Sequence, residues 1–173
     1  DFIQIPTTLL AMTDASIGGK LGVDFLALKN QIGLFANPKS VLIYPEFLES
    51  LPLDQLKSGF AEVLKHALIS DKNLWNEILN TSFEKLNWNE IILLSLEIKN
   101  KFVLSDPKEK GERRKLNFGH TFGHAIESFY LKKSTPILHG QAIALGMLIE
   151  SKMSNLSESE KVEITAFIQK RKE

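Results

Sequence analysis

Apolar and polar positions alternate over residues 2–5, just ahead of Pro6. That two-residue period predicts a short strand running out into a loop. The loop passes through Pro6, Thr7 and Thr8, and residues 14–20 (DASIGGK) supply a second irregular, glycine-containing stretch. Residues 21–25 and 31–35 read as the two strands of a hairpin, with 26–30 between them. The apolar run 41–44, bounded by Asn37-Pro38 and Pro45, reads as a buried strand. From residue 53 the apolar spacing becomes helical and stays so. A first long helix is expected over 53–69, with Leu53, Leu56, Phe60, Leu64 and Ala67 as its buried stripe. A short helix follows over 73–80, and a third starts at Asn89 as N-cap and ends before Ser105-Asp106-Pro107, since the residue before proline avoids helical geometry. Two more are expected over 118–131 and 140–153. Ser157 followed by Glu160 is the capping-box pattern of a last helix.

The fold class expected is therefore α+β: short strands from the edge of an α/β domain (residues 1–45) followed by a mostly α-helical domain (46–173). The chain has 173 residues, 43% hydrophobic and 24% charged, with 21 basic and 21 acidic side chains. That balance is ordinary for a globular protein and argues against disorder. Zero net charge argues against a nucleic-acid binder working by bulk electrostatics. The apolar stretches are too short and interrupted for a membrane span. Cysteine is absent, which excludes a disulfide framework and thiolate metal ligands and permits a cytoplasmic location. The chain opens Asp1-Phe2-Ile3 inside an expected strand, which suggests a piece of something larger.

The densest chemistry lies in residues 116–124, LNFGHTFGH. His120 and His124, four apart, share one helical face, a spacing suited to two metal ligands or to one ligand beside an acid/base histidine. Gly119 and Gly123 form an adjacent strip that another helix or a ligand should approach closely, because interior glycines cost a helix roughly 1 kcal/mol each. Packed histidines on a small-residue interface would explain the block equally well. His139 stands before Gly140 at the mouth of the fifth helix. On the first long helix Ser58, Glu62, Lys65, His66 and Ile69 lie opposite the apolar stripe. That face reads either as solvated polar surface or as a carboxylate ligand with Lys65 one turn away. Two histidines and one carboxylate leave an open coordination position, as a catalytic zinc needs; His66 is a rival ligand. Lys20 after a double glycine, the Lys29-Asn30 pair, Lys99, Arg113 and Asn117 add the donors that a small, highly anionic substrate requires.

The stretches IPTTLLAMTDASIGGKLGVD, KNQIGLFANPKSVLI, SGFAEVLKHALI, GERRKLNFGHTFGHAIE and HGQAIALGM resemble, in order, successive signatures of the 3-dehydroquinate synthase family. They cover most of residues 2–150. The resemblance implies a shikimate-pathway cyclase, a carbon–oxygen lyase that converts 3-deoxy-D-arabino-heptulosonate 7-phosphate to 3-dehydroquinate and phosphate. It also implies NAD, a divalent metal (zinc, with cobalt as an alternative), a cytoplasmic enzyme, and a homodimer for the full-length protein. Carried over by position, Glu62, His120 and His139 would hold the metal. Asp14, Lys20, Asn30, Lys65, Lys99, Arg113, Asn117 and His124 would serve the substrate: Lys99 and Arg113 at its carboxylate, Lys20, Asn30 and Asn117 around its phosphate, Asp14 and Lys65 beside the hydroxyls, and His124 for binding and proton transfer. Thr7, Thr8, Asp14, Lys20, Lys29, Phe47, Leu48, Glu49 and Ser50 would contribute to the NAD site. Gln141 stands where the family often has Glu, which implies one altered hydrogen bond to the metal site.

The family's glycine-rich pyrophosphate loop does not occur in this sequence, so the 173 residues alone are expected to be inactive. Residues 1–45 would be the end of an NAD-binding domain, and 46–173 most of a helical metal- and substrate-binding domain. A related cyclase acting on sedoheptulose 7-phosphate or glucose 6-phosphate and a non-catalytic helical module are the rival expectations. The first rival is disfavoured by Lys99, Arg113 and Asn117 together, since those sugar phosphates lack the carboxylate.

Overall fold

The computed structural model of the chain describes residues 1–25 and 28–170, with the side chains of all of these except 24, 25 and 28–31. Strand β1 (Ile3–Gln4) pairs in parallel with β4 (Ser40–Val41), Ile3 opposite Ser40 and Gln4 opposite Val41. Backbone bonds from Lys39 to Phe2 and from Leu42 to Gln4, both 2.9 Å, extend the ladder at each end. The run 41–44 is thus not the buried strand its apolarity suggested. Within it the strand pairing ends at Leu42; Leu42 and Tyr44 are exposed, and Ile43 packs against the core. The expected hairpin is present as β2 (Lys20–Phe25) antiparallel to β3 (Leu28–Phe35); its second strand begins three residues earlier than alternation predicted.

Helices dominate from residue 53. Helix α1 (Leu53–Ser70) follows Pro52, and α2 (Lys72–Asn80) is capped by Asp71, whose carboxylate accepts from the N–H groups of Asn73 and Leu74 at 2.9 and 3.0 Å. Helix α3 (Trp88–Ser105) is capped by Asn87 rather than Asn89; the Asn87 side chain accepts from the Glu90 N–H. Helices α4 (His120–Lys132), α5 (His139–Met153) and α6 (Glu158–Lys170) complete the bundle. The capping box of α6 forms as expected, Ser157 N–H to Glu160 and Glu160 N–H to the Ser157 hydroxyl.

Helix α1 is the central element, packed against α3 and α5, with α4 and α6 both on α5. Leu9, Met12, Val63, Leu74, Ile91, Ile143 and Met147 form the innermost core, each worth about 1.5–3 kcal/mol on burial. Phe60, Phe83 and Trp88 meet edge to face at one end, with centroids 5.1–5.9 Å apart. At the other end Trp75 packs on Phe167 and donates its indole N–H to Glu163 at 2.7 Å, docking α6. Leu53 is exposed, while Ser58, Glu62, Lys65 and His66 are buried. Of the two readings of this face of α1, solvated surface or ligand-bearing side, the solvated one does not hold. No helix among the described residues is long and apolar enough to cross a membrane.

Candidate active site

The enclosed polar side of α1 is covered from three directions. From α5, Gly140 lies directly on the backbone of Ser58, where any Cβ would collide, and its N–H donates to the Ser58 hydroxyl at 3.0 Å. That contact brings His139, the first residue of α5, beside Glu62. From α4, Gly119 and Gly123 face Ile143 and Met147, so the partner of the glycine strip is α5. This packing puts His120 on the same carboxylate. From the N-terminal segment comes a wide helical turn, Ala11–Ala15, closed by a bond from Ser16 N–H to Ala11 five residues back. The Thr13 hydroxyl bonds back to Leu9 at 2.8 Å. Wide turns of this kind re-aim a side chain, and here the residue delivered is Asp14.

The result is one connected polar cluster. Lys65 donates to Glu62 Oε2 and lies 3.4 Å from Asp14 Oδ1. Lys99 reaches in from α3, 3.0 Å from Asp14 Oδ1, and also donates to the Asp14 carbonyl. His66 Nε2 lies 3.5 Å from Asp14. Glu62 Oε1 faces His120 Nε2 at 3.6 Å and His139 Nε2 at 3.5 Å. The other nitrogens of those two rings point elsewhere: His120 Nδ1 to the Phe118 carbonyl and His139 Nδ1 to Glu127, both at 3.3 Å. Glu127 was not anticipated, although its place one turn after His124 on α4 was the available signal.

Charge follows from this packing. Burial would raise the pKa of Asp14, but the ammonium groups of Lys65 and Lys99 hold it well below the usual carboxylate range. Glu62, fully buried, is likewise opposed by burial and brought down to about 2, chiefly by Lys65. Burial pushes His120 down to about 4, leaving its ring neutral at pH 7. Lys65 is raised, because Asp14 and Glu62 outweigh its desolvation.

Glu62 Oε1 is buried without a hydrogen-bond partner among the described residues. One carboxylate oxygen and two imidazole nitrogens, all within 4.8 Å of one another, are the donor set of a divalent metal such as zinc, with a coordination position to spare. The residues fit the implied ion. Two further groupings meet the same criterion, His124 with Glu127 and His139, and Asp14 with Glu62 and His66. In the latter, Lys65 and Lys99 already neutralise Asp14.

The remaining expected residues fall elsewhere. Lys20 and Asn117 do not join Asp14. Both bind Glu109, Lys20 through an ion pair and Asn117 Nδ2 at 2.7 Å, and Arg113 Nε lies 3.9 Å from the same carboxylate. Arg113 is buried and donates to the carbonyls of Pro107 and Gly18. Gly18, at φ +110°, has no side chain to obstruct the guanidinium. His124 is exposed on α4, its ring 5.2 Å from that of His120. Lys29 and Asn30 lie outside the residues whose side chains are described.

Of the expected dinucleotide contacts, Thr7, Phe47, Glu49 and Ser50 are exposed. The Thr8 hydroxyl accepts from Ala11 N–H at 3.2 Å. The Leu48 side chain packs into the core, because the short helical turn Pro45–Ser50 must bury one apolar face. The Gln141 side chain accepts from Leu138 N–H at 3.0 Å and closes the first turn of α5.

Residues 59–172 match the family model 3-dehydroquinate synthase C-terminal, and residues 1–58 match 3-dehydroquinate synthase N-terminal. The chain belongs to the 3-dehydroquinate synthase family. A curated 3-dehydroquinate synthase of Parabacteroides distasonis is 44% identical over 156 residues, covering 88% of this chain and 44% of that protein. The 2-epi-5-epi-valiolone synthase of Streptomyces hygroscopicus subsp. jinggangensis 5008, solved with NAD⁺ and Zn²⁺ bound, superposes with a TM-score of 0.87 at 29% identity, over 96% of this chain and 49% of that one. A 2-deoxy-scyllo-inosose synthase complexed with carbaglucose-6-phosphate, NAD⁺ and Co²⁺ superposes with a TM-score of 0.81 at 28% identity, covering 96% and 48%. This member of the 3-dehydroquinate synthase family thus spans about half the length of the relatives it matches, and it shares the fold of sugar-phosphate cyclases.

Proposed function

We propose that the chain carries the metal- and substrate-binding part of a 3-dehydroquinate synthase, which turns 3-deoxy-D-arabino-heptulosonate 7-phosphate into 3-dehydroquinate and phosphate. The observation that carries this reading is the buried Glu62 carboxylate, with one oxygen on Lys65 and the other facing His120 and His139. The curated relatives, themselves 3-dehydroquinate synthases, support this choice of reaction. The solved structures, with NAD⁺ and Zn²⁺ or Co²⁺, support the two cofactors.

When bound, the divalent metal supplies Lewis acidity toward the substrate hydroxyls and NAD supplies a reversible hydride acceptor. Glu62, His120 and His139 hold the metal, and Glu127 orients His139 through Nδ1. Lys65 keeps Glu62 ionised and turned toward the histidines. Asp14, held ionised by Lys65 and Lys99, accepts hydrogen bonds from substrate hydroxyls beside them. Lys99 and Arg113 receive the substrate carboxylate, and Lys20, Asn30 and Asn117 its phosphate. His124, exposed beside His120, exchanges a proton with the bound ring. The elimination needs little acid/base help from the protein, because a phosphate oxygen held close to the acidified C–H accepts that proton itself. Thr7, Thr8, Lys20, Lys29 and residues 47–50 touch the margin of the dinucleotide, residue 48 through its backbone.

The deciding experiment is a steady-state assay of the full-length protein with the heptulosonate phosphate and, separately, sedoheptulose 7-phosphate and glucose 6-phosphate. Turnover of the heptulosonate with phosphate release is expected. Turnover of a sugar phosphate lacking the carboxylate, and none of the heptulosonate, would refute the reading.

A further inference from the structure

Lys20, Arg113 and Asn117 are drawn together by a side chain of the protein itself. Glu109 sits in the turn between α3 and the short helix Glu112–Asn117, with its own backbone in the left-handed region at φ +56°. The turn is held independently of that side chain. Asp106 accepts from the N–H groups of Lys110, Gly111 and Arg113 at 3.0, 2.7 and 3.3 Å. Glu109 projects from this fixed turn and uses both carboxylate oxygens, Oε1 for Asn117 and Oε2 for Lys20, with Arg113 facing Oε2. Burial raises its pKa, but the hydrogen bonds from Lys20 and Asn117 and the charges of Lys20 and Arg113 bring it below the ordinary glutamate value. At neutral pH, therefore, a full negative charge occupies these donors.

We propose that Glu109 is a resident anion that competes with the phosphate group of an incoming phosphate monoester for Lys20 and Asn117. This rests on the reading above that Lys20 and Asn117 serve a phosphate. The donors cannot easily serve both anions. Each terminal nitrogen of Arg113 already gives one N–H, to Pro107 or to Gly18, and the Asn117 amide gives one to Glu109, so few donors are left for another anion. A second anion at this distance would also meet like-charge repulsion. Release requires only rotation of the Glu109 side chain, since the Asp106 bonds keep the turn in place. The Glu109 side chain is one-fifth exposed and that of Lys20 just over half exposed, so solvent adjoins the pair. Between ligands the same carboxylate clips β2, through Lys20, to the segment that leads into α4. The carboxylate thus neutralises an otherwise unpaired basic cluster and sets a threshold that weakly held anions do not cross.

The test is calorimetric titration of the full-length protein with inorganic phosphate, comparing wild type with Glu109→Gln and Glu109→Asn. Asparagine tolerates the left-handed backbone, so one neutral variant keeps the side-chain length and the other suits the turn. Both should bind phosphate about fivefold or more tightly than wild type, and the gain should vanish when Lys20→Met is added. Unchanged or weaker binding in both neutral variants, while Lys20→Met alone still weakens phosphate, would overturn the resident-anion role and leave the phosphate site standing. Phosphate binding insensitive to Lys20→Met and Asn117→Ala would overturn the phosphate site itself, and the proposal with it.

Discussion

Lys65 donates to Oε2 of Glu62 from one turn further along α1, and this bond fixes which oxygen of the carboxylate is left over. The other oxygen, Oε1, is buried between His120 and His139 and has no hydrogen bond among the described residues. An unsatisfied buried carboxylate oxygen costs on the order of 1–3 kcal/mol, which a cation in that place would recover. Zinc should therefore bind and stabilise the fold, by about 2.7 kcal/mol when free metal is a hundredfold above its Kd. Glu62→Gln, His120→Ala and His139→Ala should each weaken zinc by more than about 100-fold, beyond the loss expected for an outer partner. His124→Ala should change it only a few-fold. Titration against a competing chelator gives the affinities. A larger loss at His124 than at His120 would place the ion in the neighbouring grouping of His124, Glu127 and His139.

Glu127 acts on the metal through His139. Its carboxylate lies 3.3 Å from His139 Nδ1, which fixes the tautomer that presents Nε2 toward Glu62. Glu127→Gln keeps the shape and removes the charge, and it should cost about 10- to 100-fold in zinc affinity with little change in metal-free stability. A chemical-denaturation curve in chelator, taken beside the zinc titration, separates these two effects.

Much of this organisation is legible along the chain, and the failures share a cause. Helix positions follow from periodicity and caps, and α1 is found within a residue at each end. What periodicity misses is the burial of Ser58, Glu62, Lys65 and His66. Their cover comes from Gly140, 82 residues away from Ser58, and from the turn bearing Asp14. The run 41–44 fails in the opposite sense, since apolar composition implied burial where a single neighbouring strand provides little. Lys20, Arg113 and Asn117 were grouped by their chemistry. Their shared partner, Glu109, lies in a charged turn (DPKEKGERR) whose composition says only that it is solvated.

The Asp14–Lys99 pair sets an acid limit on stability. Lys99 is buried and Asp14 is its nearest counter-charge, 3.0 Å away. Asp14→Asn leaves that ammonium without its partner and should cost about 3 kcal/mol at pH 7. The pKa of Asp14 is depressed in the folded state, so its contribution is fully present above the unfolded value of 3.8 and is lost as pH falls through the lower folded value. Urea unfolding of wild type and Asp14→Asn in chelator, repeated from neutral pH downward, should show a constant gap that closes only below that point. A gap closing near neutrality would assign the pairing energy to another group.

Gly140 offers the sharpest link between packing and the metal. A Cβ there would lie 2.5 Å from the Cα and 2.6 Å from the carbonyl carbon of Ser58, and these are backbone atoms of α1 that cannot rotate away. Gly140→Ala must push the start of α5 off α1, at a cost of about 1–3 kcal/mol for overpacking. The displacement acts on the neighbouring residue, His139, whose Nε2 reaches Glu62 only because the two helices touch at Gly140. The variant should thus lose metal affinity in addition to stability, whereas a packing change remote from the ligands would lower stability alone. Denaturation in chelator gives the first quantity and zinc titration of the folded protein the second. Lowered stability with unchanged zinc affinity would show that His139 is held in place by something other than the Gly140–Ser58 contact.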